Sequence, residues 1–448
     1  MQKKALQLKP NRELGTIQNN DINNILHGGY EGDMRPQDYR EAVGHLLEGK
    51  PSVLAQTVGQ ADPVIYRTRE ATTFDKYLEQ VSMQVFADVW SKSDNAKAET
   101  VRRRAAGQAE YVARLLSEGT SPLEITIEAC HSYEIPVLAS YRMNGEDWYQ
   151  HSYLLYDFGR YHPEFRIRDG SKHTGAIDYA IPTVFEQRLR MFTEVATLYD
   201  VDGIEFDFRR WTHMISDPLH NYPVFTDLIR QTRQMLAAVS RSKGRERMLL
   251  CVRVGPSLDD PQGTEYAGGK LSTDFSSRLL GLDVATWIEE ELVDVVCPTL
   301  FWPALPGLPR VAEFVERAHE KNVGIYPTVF PRPAWSDQLP GGERTLEDLD
   351  QSEIADLMRL HRDEICQAAV QCYEQGADGL STYNWFGHCQ YSPMVRTHGY
   401  PSHNYRSSQA YAQTELFAHA FLGSRAEMER CLKAEPVSSS GRYEWQLD

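Results

Sequence analysis

Short apolar runs alternate along the chain with longer stretches of helical periodicity, and polar or glycine-rich sequence follows each run. Eight runs can be placed: Leu14–Gln18 (or, in its stead, Ile22–Leu26), Ser52–Val58, Ile135–Arg142, Val201–Phe208, Met248–Val254, Leu292–Leu300, Val323–Phe330 and Gly379–Asn384. Their spacing and β-branched content suit parallel strands buried on both faces. Between them, apolar positions spaced at 3 and 4 predict helices near Pro122–Ser132, Val184–Tyr199, Pro223–Val239 and Ile354–Gln375. Alternating βα units imply a closed barrel or an open sheet. Eight units without a glycine-rich turn after the first strand favour the closed (β/α)8 arrangement, a TIM barrel.

Two intervals exceed an ordinary connection. The gap of roughly 75 residues between strands two and three is too long for a simple loop, so residues near 60–97 are expected to form a decorated insertion with a short helix around 74–90. A second insertion, near 143–181, is rich in Tyr, His, Asp and Gly. Both follow strand ends and are expected on the catalytic face, within a barrel spanning 1–400. Residues 401–448 read as a helical extension packed on the barrel: one helix near Ser407–Phe421, a shorter one, then a polar tail. No internal repeat beyond the βα unit is visible.

Composition narrows the partners. The 448 residues exceed the roughly 250 of a minimal barrel, and 41% hydrophobic with 25% charged residues is a globular composition. A net charge of −16 argues against a nucleic-acid backbone as partner. It leaves room for an anionic small ligand, because a local arginine cluster can oppose the global field. No run approaches the ~20 apolar residues that cross a bilayer, so no membrane partner is expected. Met1–Pro10 carries lysines without a following apolar region, which makes cytoplasmic location the default expectation; a leader already removed would allow a periplasmic or secreted one. The seven cysteines are odd in number and lack CxxC spacing, and Cys251 and Cys297 sit in apolar runs as reduced, buried thiols.

The most informative stretch is Asp202-Gly-Ile-Glu-Phe-Asp-Phe-Arg-Arg-Trp211. Alternation puts Ile204, Phe206 and Phe208 on one face and Glu205, Asp207 and Arg209 on the other. Helices cover a barrel strand's outer face, so the charged set points inward. Carboxylates are costly there unless paired or used. The bland reading is a buried Glu–Arg–Asp network filling the mouth; the position at a strand's C-terminal end favours an active site.

This motif resembles the fourth-strand signature of glycoside-hydrolase-like TIM barrels of environmental bacteria. Asn19-Asn20-Asp21, Ser140-Tyr-Arg-Met-Asn144, His162-Pro-Glu164 and Asp178-Tyr-Ala180 look similar too, so the resemblance covers about residues 14 to 400. It implies a carbohydrate substrate and places Asp207 where a fourth-strand Asp serves as nucleophile in wider clans of retaining glycosidases. The chain departs from the pattern in one respect. Glycosidases use two carboxyl groups, about 5 Å apart for retention or about 6.5–9.5 Å for inversion. The strand ends Arg253–Ser257, Thr299–Trp302, Thr328–Pro331 and Thr382–Trp385 offer no carboxylate. The second acid is then Glu205, Asp21, or a loop residue such as Asp157 or Glu265.

Arginines at strand ends (Arg142, Arg209, Arg253, with Arg67 in the first long loop) brace these carboxylates or grip an acidic or sulfated sugar. Tyr141, Trp211, Trp302, Tyr383 and Trp385 are candidate stacking platforms, and Asn144 and Asn384 candidate hydroxyl partners; each ring alone is better explained by packing, and it is their concentration at one rim that favours a sugar site. No GxGxxG, Gly-Lys-Ser/Thr, GxSxG or HExxH motif occurs. His131, His151, His162 and His173 lack short ligand spacing, so no cofactor or metal is expected, although oxygen ligands at Asp207, Glu205 and Asp21 would suit a hard cation. The expectation is a glycoside hydrolase on an oligo- or polysaccharide. The alternatives are a uronate-polysaccharide lyase and a glycan-binding barrel without catalysis.

Overall fold

In the computed structural model, residues 6–21, 25, 35–60, 63–76, 107, 109–144, 158, 162–168, 176–209, 212–259, 276–300, 308–329, 350–383, 414–439 and 442–447 are described. All the strands expected from the apolar runs are present and parallel: β1 (Thr16–Asn20), β2 (Val53–Gln60), β3 (Val137–Arg142), β4 (Gly203–Asp207), β5 (Leu249–Val254), β6 (Val295–Pro298), β7 (Gly324–Ile325), β8 (Thr328–Val329) and β9 (Leu380–Tyr383). The order β7-β6-β5-β4-β3-β2-β1-β9-β8 leaves β7 and β8 at the two ends. Only Tyr326 and Pro327 separate those ends in sequence. The Tyr326 amide donates to Val296 O (2.9 Å) on one side, while Pro327 O accepts from the Ser381 amide (2.9 Å) on the other. β7 and β8 are therefore one strand split by a proline that cannot donate to the ladder, and the ring is closed.

The expected helices form as α2 (Pro122–Ser132), α3 (Pro182–Leu198), α4 (Pro223–Ser242) and α7 (Gln351–Glu374), joined by α1 (Pro36–Leu47), α5 (Val284–Glu289) and α6 (Val311–Ala318). Local chemistry explains their starts. Proline opens α1 to α4, where its missing N–H costs nothing. Asp350 and Glu353 form a reciprocal capping box on α7, each side chain accepting the other's amide at 2.9 Å.

Two apolar layers result. Residues on the outer strand face pack under the helices: Phe206 meets Phe192 of α3 at 4.6 Å, and Phe208 meets Phe225 of α4 at 5.2 Å, between ring centroids. Inside the ring a separate cluster fills the lower half: Ile17, Val53, Ala55, Leu138, Leu249, Cys251, Val295, Cys297 and Tyr326. Tyr326 plugs the bottom, its hydroxyl accepting from the Leu14 amide and donating to Asn11 O, both at 2.9 Å. Glycine at 379 makes room for it, since a Cβ there would lie 2.4 Å from the Tyr326 ring.

The lower rim carries a repeat that the sequence does not announce. Just ahead of β4, β6 and β9, an aspartate accepts an amide from the neighbouring strand segment. Asp202 takes Val137 N (2.9 Å), Asp294 takes Leu250 N (2.7 Å) and Asp378 takes Ile325 N (2.9 Å). Each is also paired with arginine: Arg245, Arg233 and Arg12 respectively.

After β9, residues 414–419 form a helix, α8, and Ser424 caps a shorter one, α9 (Arg425–Cys431). Ala418, Leu422, Met428 and Cys431 share one buried cluster with the barrel helices, so this segment supplies the ring's last helical cover. The expected polar tail is instead a hairpin, β10 (Glu435–Ser439) and β11 (Arg442–Gln446), whose Trp445 stacks on Phe417 at 4.9 Å. Tyr443 and Trp445, two positions apart, are the strand signal within that polar stretch. Most of the helix expected near 74–90, and much of both insertions, lies outside the described residues.

Candidate active site

Strand alternation brings the charged set of β4 inside the ring. Glu205, Asp207 and Arg209 are all buried. Register sets Arg142 of β3 on one side of Asp207 and Arg253 of β5 on the other, as direct Cα partners. The upper half of the barrel interior is thus a polar layer standing on the apolar one.

Glu205 lies deepest. Its Oε1 accepts from Asn19 Nδ2 (2.5 Å) and Ser140 Oγ (2.8 Å), and its Oε2 from Arg253 Nη2 (3.3 Å) and Cys251 Sγ (3.7 Å). Arg253 donates further to Thr328 Oγ1 (2.6 Å) and Ser381 Oγ (3.0 Å), with its guanidinium 5.1 Å from the centre of the Tyr383 ring. Burial opposes the charge on Arg253, but Glu205 together with Cys297, Asp207 and Cys251 outweighs it, so the guanidinium stays protonated.

Asp207 stands two residues higher on the same face of β4. Its Oδ1 accepts the Arg209 amide at 2.9 Å. Burial pushes its carboxyl above the usual range; Arg253 pulls it down, Glu205 pushes it up again, and Arg142 pulls it down. Arg142 in turn reaches across the mouth, its Nη2 2.7 Å from Asp21 Oδ2 beyond the end of β1. Arg209 is anchored by Nε to Thr299 O at 3.1 Å. Asp21, Glu205, Asp207, Arg142, Arg209, Arg253 and Tyr383 are thereby gathered at the C-terminal ends of the strands.

Two expected sugar contacts lie elsewhere. Tyr141 is on the outer face of β3, since alternation opposes it to Arg142. Its ring packs edge-on against Phe192 of α3 (4.9 Å) and its hydroxyl meets that of Tyr66. Asn144 braces the loop after β3: its Nδ2 donates to Ile177 O (3.2 Å) and His213 O (2.6 Å), and its Oδ1 accepts the Ile177 amide (3.3 Å). Arg253 is committed to Glu205, Thr328 and Ser381 at zero exposure, so it braces the site and does not offer a fork to a ligand. Arg67 turns to Gly119 O and Glu124. Trp211, Trp302, Asn384, Trp385, Asp157 and Glu265 lie outside the described residues.

The hydroxyls of Ser140, Thr299, Thr328 and Ser381 were not singled out in the sequence. The signal was there: small hydroxylated residues occupy inward positions on four strands, where a barrel normally places bulky aliphatics. Glu205, Cys251 and Cys297 place one potential ligand atom each within 4.8 Å of one another. Their surroundings suit a hydrogen-bonded cluster better than a cation site. Arg253 already sits on the carboxylate, and burial, then the neighbouring Cys297, holds the Cys251 thiol well above its ordinary range.

No family model matches the sequence, and no curated protein matches it. Solved structures do resemble the fold. An alpha-L-fucosidase isoenzyme 2 from Paenibacillus thiaminolyticus is 11% identical with a TM-score of 0.41, over 95% of this chain and 51% of its own. The chain therefore spans about half the length of that protein. An endo-beta-1,4-mannanase from Thermotoga petrophila (10% identity, TM-score 0.45) covers 94% of this chain and 79% of its own. A GH18 chitinase from Cycas revoluta (9%, 0.41) covers 89% and 99%. At such scores these likenesses carry no argument about chemistry, and the barrel rests on its closed ladder.

Proposed function

We propose that the chain is a glycoside hydrolase acting on an oligo- or polysaccharide, with Asp207 as principal carboxylate and Asp21 as its counterpart across Arg142. The observation that carries this reading is Asp207 itself: a buried carboxyl inside the ring, at the C-terminal end of a parallel barrel strand, between arginines of both neighbouring strands. Its raised proton affinity suits a group that gives a proton to a leaving glycosidic oxygen and later takes one back. Arg142 and Arg253 offset the charge it carries between those events.

The finer part of the proposal is an acidic or sulfated glycan held by Arg142. Its guanidinium is buried and paired with Asp21 beside Asp207, so its planar fork, which matches carboxylate and sulfate oxygens, would meet the glycan by taking the place of Asp21. The deciding experiment screens wild type and Asp207→Asn against neutral and acidic glycans with product analysis. New reducing ends with wild type, lost by several orders of magnitude in the variant, are the expected result. Unsaturated, ultraviolet-absorbing products would mark a uronate lyase instead. Binding without turnover would mark a glycan-binding barrel.

A further inference from the structure

Glu205 is bonded on both carboxylate oxygens, through Asn19, Ser140, Arg253 and Cys251, and has no exposed surface. It has no edge left for a sugar and no position from which to pass a proton. Arg253 is held as firmly, between Glu205, Thr328 and Ser381 and over the face of Tyr383. The ladder then sets Arg253 beside Asp207: the two are Cα partners, and the Phe208 amide bonds Arg253 O at 3.1 Å.

We propose that Glu205 and Arg253 form a buried positioning pair for Asp207, in which Glu205 fixes the guanidinium and the pair presents Asp207 with a rigid cation whose counter-charge lies two residues lower on the same face. The inference rests on the reading of Asp207 as the working carboxylate. Its charged and titratable neighbours among the described residues are few. Glu205 and the Arg209 amide come from its own strand, Arg142 with Asp21 behind it from β3, and Arg253 with Tyr383 on its face from β5 and β9. The Arg209 side chain turns to Thr299. Glu205 and Arg253 act on Asp207 with opposite sign, so removing one exposes the other.

The test follows the Asp207 carboxyl by carbon-13 NMR in the ligand-free full chain, with its resonance assigned by Asp207→Asn. Glu205→Gln should move the titration midpoint down by about one to two pH units, because Arg253 is left uncompensated. Arg253→Gln should move it up by a similar amount. The charge-balanced double variant should return to within about half a pH unit of wild type. If Glu205→Gln fails to fold, Arg253→Gln and the double variant still decide. Arg253→Lys, which keeps the charge, should stay close to wild type.

Midpoints unmoved in the single variants, or moved in the same direction by both, overturn the pair. So does a double variant displaced as far as either single one. No substrate is needed. The predicted shifts in a protein that cleaves no glycan would therefore sink the hydrolase reading and leave the pair standing, while glycan cleavage with unmoved midpoints would do the reverse.

Discussion

Asp202 is the clearest place to weigh a buried charge in this barrel. Its carboxylate, 1% exposed, bonds the Val137 amide (2.9 Å), His131 Nε2 (2.8 Å) and Arg245 Nη1 (2.8 Å). Asp202→Ala leaves a buried strand amide without its acceptor, a loss of about 1–3 kcal/mol. It also strips a largely buried arginine of its inner partner, although Asp200 and Val201 O still hold that guanidinium from outside. Breaking a buried pair costs about 3–5 kcal/mol when nothing replaces it. The two losses share partners and do not add, so a destabilisation of about 3–5 kcal/mol is expected. Urea unfolding followed by circular dichroism measures it, with Glu290→Gln as internal control. That residue pairs with Arg230 across a surface where both side chains are more than a third exposed, at 44% and 40%. The control should lose less than about 0.5 kcal/mol. An Asp202→Ala protein within about 1 kcal/mol of wild type would refute the view that the aspartates of the lower rim brace the strands.

Tyr326→Phe should cost about 2–3 kcal/mol in the same assay, because Leu14 N and Asn11 O lose their shared partner under the barrel. Burial lowers His419 to about 4, its Nδ1 facing Gly49 O and its Nε2 facing Thr382. Its folded value lies below the unfolded 6.5, so stability is full above 6.5 and falls as acid protonates the unfolded chain first. About 2 kcal/mol should be lost between pH 7.5 and 5, and His419→Gln should flatten that limb of the urea-midpoint profile. Cys251 should resist alkylation in the native protein and react once urea unfolds it, as read by mass spectrometry. Asp207 has a folded value above its unfolded one, so its ionised form costs stability at neutral pH and the cost is relieved as pH falls. Asp207→Asn should thus be at least as stable as wild type at neutral pH, with the gap closing in acid; a less stable variant would argue for a structural network.

The eight strands were legible because each is a short apolar run with a helix behind it, and the β4 alternation correctly sent Glu205 and Asp207 inward. Tyr141 was misread because a residue at a strand end can face either way, and only parity with Arg142 settles which. Asn144 looks like a sugar ligand by type, yet the backbone of its own loop uses both ends of its amide. Partner choice was not legible. Nothing local to Arg253 says that it will reach across the ring to Thr328 and Ser381, since those contacts follow from barrel closure. The hairpin at the C-terminus was hidden by its serines, which carry a tail's composition on a strand's spacing.

The split seventh strand gives the ring a line of weakness and, opposite it, a stiff arc. Two residue pairs join β6 to β7 and two join β8 to β9, against six between β2 and β3 and five in each of the next two ladders. Arg253 spans this line from within, rooted on β5 and bonded to Thr328 and Ser381 on the far side. It works as a crossbeam. Breathing of the barrel should therefore start at β7 and β8, with amide exchange of Ile325, Tyr326 and Ser381 ahead of that of β3 and β4. The arc carrying Arg142 and Asp207 would keep its shape while water reached the interior from the opposite side, so solvent would exchange beneath the rim that holds them without the rim itself coming apart.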